Sequence, residues 1–101
     1  MPKLYEYLGI IIFFYSNEHD PVHVHARCQG RESKAELVIQ NGTVVDIVYS
    51  SVKGRRSLTP TEMKDFKVLT EHRAEEIVQK WIDYFVLHRQ IVPQTITKRI
   101  K

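Results

Sequence analysis

Ser33-Lys34-Ala35-Glu36-Leu37-Val38-Ile39-Gln40-Asn41-Gly42-Thr43-Val44-Val45-Asp46-Ile47-Val48-Tyr49 is the stretch whose reading decides the fold. From 33 to 40 the residues alternate, with Ala35, Leu37 and Ile39 on one side and Lys34, Glu36 and Val38 on the other. That is the period of a strand with one covered face. Asn41-Gly42 tolerates the positive φ that a two-residue turn demands of both its residues, a strong hairpin signal. The chain returns over 43–49 with Val45, Ile47 and Tyr49 opposed to Val44, Asp46 and Val48. Two antiparallel strands, 33–40 and 43–49, are therefore expected.

Towards the N-terminus, residues 8–15 form a continuous apolar run after a polar start, Lys3 to Glu6. Such a run suits a central strand or one covered on both faces. Asn17 to Asp20 reads as a turn, 22–28 as a second strand, and Gln29-Gly30-Arg31-Glu32 as a tight turn. Together with the hairpin this predicts a four-stranded antiparallel sheet. Towards the C-terminus, residues 50–57 lack apolar periodicity and form a loop. Thr59, Pro60 and Glu62 then supply a capping box with proline at the first helical position. Met63, Phe66, Leu69, Ile77, Trp81, Ile82 and Phe85 recur at helical spacing, giving one apolar stripe. The stripe weakens over Thr70 to Ala74, so 60–88 is one helix or a pair broken near His72. Pro93 ends the helical region and 93–101 is a basic tail. Strands first and helix last argue for a single α+β domain spanning 1–101.

The chain has 101 residues, 43% of them hydrophobic and 27% charged, the composition of a globular protein. No apolar run approaches the ~20 residues of a membrane-spanning helix, and residues 8–15 lack the flanks of a signal peptide. The one cysteine, Cys28, has no internal partner for a disulfide, which fits a reducing cytoplasm. The stripe positions of Trp81 and Phe85 favour core packing, and Cys28 reads as a small buried hydrophobe. The net charge is +3. Part of the excess is clustered, in Arg27, Arg31 and Lys34, in Lys53, Arg55 and Arg56, and at Lys98, Arg99 and Lys101. Clusters of this kind attract phosphate backbones.

Chemistry concentrates in Asn17-Glu18-His19-Asp20-Pro21-Val22-His23-Val24-His25-Ala26-Arg27. Strand alternation puts His23, His25 and Arg27 on one face, with neighbouring members about 6 to 7 Å apart. Three readings follow. His19, His23 and His25 form a candidate site for a divalent metal such as zinc, with Asp20 or Glu36 as further ligands. His23 and His25 could instead exchange protons on RNA while Arg27 meets phosphorane charge, a catalytic reading. Or the histidines hydrogen-bond backbone at the start of a strand, or line a protein interface, with no chemistry. His19, Lys53, Arg55 and Arg56 are the candidate binding residues outside that catalytic set.

Met1-Pro2, Gly9-Ile10 and the run from Asn17 to Ala26 resemble the bacterial family numbered 4160 among the domains of unknown function. Its pattern is a Met-Pro start, a strand with Gly-Ile, then Asn-Asp-His-x-Pro-Pro-His-x-His-Ala. Glu18 stands where that pattern has aspartate, and Val22 replaces a proline. The resemblance implies a component of a toxin–antitoxin pair, with a cognate small protein as partner and RNA as a further candidate partner; the lack of a long apolar run leaves no membrane among the expected partners. The alternative is a non-catalytic module that binds protein through the sheet edge and the basic loop, or a small metal-binding protein.

Overall fold

A computed structural model describes residues 2–17 and 21–100. Three X-Gly pairs set its hairpins: Leu8-Gly9 (φ 50° and 82°), Gln29-Gly30 (50° and 81°) and Asn41-Gly42 (52° and 78°). Positive φ at both residues is the requirement of the type I′ turn, whose twist matches that of paired strands. The turns join β1 (Lys3–Tyr7) to β2 (Ile10–Phe13), β3 (His23–Cys28) to β4 (Arg31–Gln40), and β4 to β5 (Thr43–Ser51). A last strand, β6 (Gln94–Ile96), lies parallel to β1. The order is β5-β4-β3-β2-β1-β6.

The fold is α+β as expected, but among the described residues the sheet has six strands and is mixed, not four and antiparallel. The expected strand 8–15 shrinks to Ile10–Phe13 because Leu8-Gly9 form a turn, and the supposedly polar start is β1. Tyr5 and Tyr7 can be buried because each hydroxyl finds a partner, on Glu76 and on the Ile100 N–H respectively. The basic tail supplies β6, and Arg99 is anchored by Asp65 on the first helix at 2.8 Å. The expected turn 29–32 is only two residues long, so Arg31 and Glu32 belong to β4.

The capping box is present: the Glu62 N–H donates to Thr59 Oγ1 (3.2 Å) and the Thr59 N–H to Glu62 Oε1 (2.9 Å). It starts α1 (Pro60–His72), which Arg73 ends with φ −110° and ψ 18°. α2 (Ala74–Trp81) follows and runs into a π-helical turn at Ile82–Val86. The helical region is therefore broken at the point where the apolar stripe weakens. Phe66, Leu69 and Ile77 pack over Ile10, Ile12, Phe14, Val24, Ala26, Ala35 and Leu37. Cys28 joins this core, where burial pushes its thiol pKa up. Trp81 and Phe85 pack at its margin, ring centroids 5.2 Å apart.

Candidate functional site

Alternation along β3 sends Val24, Ala26 and Cys28 into the core and leaves His23, His25 and Arg27 on the opposite side of the sheet. The two-residue turn at 29–30 then fixes the register of β4, setting Arg27 opposite Glu32 and His25 opposite Lys34. Glu32 is fully buried. Its Oε1 accepts from Arg27 Nε (3.1 Å) and Nη2 (3.0 Å). Its Oε2 accepts from the Tyr15 hydroxyl (3.0 Å) and from His25 Nδ1 (3.0 Å). Arg27 Nη2 also donates to the Tyr15 oxygen at 3.0 Å, closing the network.

Burial pushes the Glu32 pKa up, but donation from Arg27 and Tyr15 and the charge on Arg27 outweigh it. The carboxyl ends below its ordinary value. An ionised carboxylate only accepts, so His25 Nδ1 carries the proton. Burial and the bond to Glu32 raise the Tyr15 pKa, and the hydrogen bond to Glu32 raises that of Arg27. Phe13 forms the floor. It stacks on His25 at 5.6 Å and lies under the Arg27 guanidinium at 5.1 Å.

His23 sits beside His25, with ring centroids 5.2 Å apart. Its Nδ1 donates to the Pro21 carbonyl at 2.6 Å, the backbone bond expected at the start of a strand. Both imidazoles are buried, His25 down to 2% exposure. Any metal would thus have to be met through Nε2 of each ring. Among the described residues no three His, Cys, Asp or Glu side chains assemble into a metal-binding group; His19 lies outside the described residues.

The basic loop reaches the same cluster. The Glu32 N–H donates to the Arg56 carbonyl at 2.8 Å, and Arg55 Nε stands 4.0 Å from Glu32 Oε1. Lys53, Arg55 and Arg56 are all exposed. His25, Arg27 and Arg55 are thus brought together around one carboxylate, with His23 beside His25. Sequence reasoning misses Glu32 and Tyr15 because it places Glu32 in a turn. The signal is nonetheless there: a two-residue Gln29-Gly30 turn makes Arg27 and Glu32 a cross-strand pair of opposite charge.

A second carboxylate locks the first helix to the sheet. Arg31 donates to Glu62 from Nε (2.9 Å) and Nη2 (2.6 Å). That bidentate grip, chiefly, holds the Glu62 pKa down at about 2.

The family model described as "Domain of unknown function (DUF4160)" matches residues 9–82, and the chain belongs to that family. The match spans the histidine strand, Glu32, the basic loop and both helices. No curated protein and no solved structure matches the chain. Among the described residues, no helix is long and apolar enough to cross a membrane.

Proposed function

We propose that this chain is the RNA-directed component of a toxin–antitoxin-like pair, acting in the cytoplasm through the outer face of β3 and the loop at 52–57. The supporting observation is the approach of Arg55 and Arg56 to Glu32, which unites two basic stretches far apart in sequence. One buried carboxylate against the Arg27 and Arg55 guanidiniums leaves an excess of positive charge, and exposed Lys53 and Arg56 extend it. Single-stranded RNA suits such a surface because phosphate contacts need charge rather than shape. In this reading His25 and Glu32 orient Arg27, and the burial of both imidazoles favours binding over proton transfer. The pairing with a cognate small protein rests on the family resemblance.

The test is binding of a labelled single-stranded RNA across a salt series. Replacing Lys53, Arg55 and Arg56 with glutamate should weaken binding and flatten the plot of log K against log salt by about 2, at ~0.7 for each phosphate no longer neutralised. Absence of binding by the unmodified chain at low salt would remove RNA as the partner. Cleavage of the bound RNA, abolished by His25→Ala, would restore the catalytic reading.

A further inference from the structure

β5 is one edge of the sheet, and no strand among the described residues pairs its outer side. It runs nine residues without proline and carries Val45 and Val48 about half exposed, at 52% and 48%. Long, apolar, unprotected edges invite a further strand. Beside this edge lies a cleft of about 650 Å³, lined by Val44–Ile47 of β5 and by residues 71–76 around the α1–α2 break. Four carboxylates line it, Asp46, Glu71, Glu75 and Glu76, against Arg73 and His72, in a chain whose net charge is +3.

Two of these acids have local duties. Glu75 and Glu76 stand in the first turn of α2, where the helix dipole favours them, and Glu76 also holds Tyr5 and Arg73. Among the described residues Glu71 has no such role. It lies in the last turn of α1, where the dipole opposes a carboxylate. Asp46, on the strand, is exposed as well, and among the described residues its carboxylate bonds only to the next residue's N–H.

We propose that the cleft and the open edge of β5 form a docking groove for a basic, extended segment of a partner protein. The segment adds as a strand along β5. Cross-strand pairing puts Asp46 and Val48 on the sheet face away from the helices and Ile47 on the face towards them. The segment's apolar side chains therefore cover Val48, while its alternate lysines or arginines, on the helix side, meet Glu71 and Glu75. Charge decides against a second copy of this chain, because β5 carries no lysine or arginine and a second β5 would bring no cation to these carboxylates. A bulge opposite Val38 and Ile39 leaves Val45 without a cross-strand partner, so the added strand pairs with the regular stretch from Asp46 to Ser51. The groove shares no residue with the Glu32 cluster, so the proposal stands apart from the RNA-directed reading.

The probe is a short capped peptide of alternating lysine and valine, with a glutamate–valine peptide as control, read by fluorescence anisotropy and by amide chemical shifts of the full chain. The lysine peptide should bind and the control should not, with shifts concentrated at residues 43–51 and 71–76. Glu71→Lys and Glu75→Lys combined should weaken binding about fivefold, two exposed charge pairs' worth. Both sites are exposed, and a thermal melt of the variant checks that it folds. Equal binding of the two peptides, binding of neither, or an undiminished double variant would overturn the proposal. So would a concentration-dependent dimer whose formation shifts the β5 amides, since that would make a second copy the occupant.

Discussion

Glu32→Ala should cost the chain about 3 kcal/mol of stability. The carboxylate is fully buried and accepts from three side chains. Deleting it strands the His25 Nδ1–H, whose ring is 2% exposed, at about 1–3 kcal/mol for an unsatisfied buried donor. Arg27 is 31% exposed and can turn its guanidinium to water, so its loss resembles that of a surface pair, at most about 1 kcal/mol. Tyr15 keeps Arg27 as a partner, and the void adds on the order of 1 kcal/mol. A domain of this size should then melt about 12 to 24 °C lower. The assay is urea unfolding followed through Trp81, the single tryptophan. Glu36→Ala, an exposed carboxylate on the same strand, serves as control and should stay within about 0.5 kcal/mol of the parent. A Glu32→Ala loss under about 1 kcal/mol, or one equal to that of the control, would refute the reasoning. The pH dependence has a definite sign. The folded pKa of Glu32 lies below its ordinary 4.5, so its contribution is complete above that value and is lost as pH falls through the folded pKa. Glu32→Gln should lack that acid-side loss.

Two further outcomes are expected. Glu62, held at about 2 against an ordinary 4.5, should contribute stability that disappears between those pH values on acidification; urea midpoints over that range should fall more steeply for the parent than for Glu62→Gln. Leu8 is more than a third exposed and adopts φ 50°, a strained angle for a bulky residue, so Leu8→Asn should raise stability by about 0.5–1 kcal/mol, measured by the same unfolding assay.

Where local chemistry is self-sufficient, the structure follows the sequence closely. Asn41-Gly42 needs nothing beyond its own backbone freedom to turn the chain, and Thr59, Pro60 and Glu62 begin a helix with their own side chains. The alternation of His23, His25 and Arg27 likewise follows from strand geometry alone, as does the burial of Phe66, Leu69 and Ile77 from helical spacing. Leu8-Gly9 is harder to read, because leucine gives no hint of positive φ and the pair opens the apolar run as if it were part of the strand.

The chain by itself thus determined an α+β domain, a hairpin at 41–42, a capped helix from 60 and a face carrying two histidines and an arginine. Tertiary structure decided the rest. β1 exists because Glu76 and the Ile100 N–H, more than 70 residues away, satisfy the tyrosine hydroxyls it buries. β6 exists because β1 offers it an edge and Asp65 offers Arg99 a counter-charge. Glu32 is the clearest case. In the sequence it is a charged residue close after a glycine, and only the register of β4 on β3 makes it the buried acceptor that Tyr15, His25 and Arg27 share. The reason is physical: a carboxylate can be buried only where several donors converge on it, and that convergence is a property of the assembled sheet.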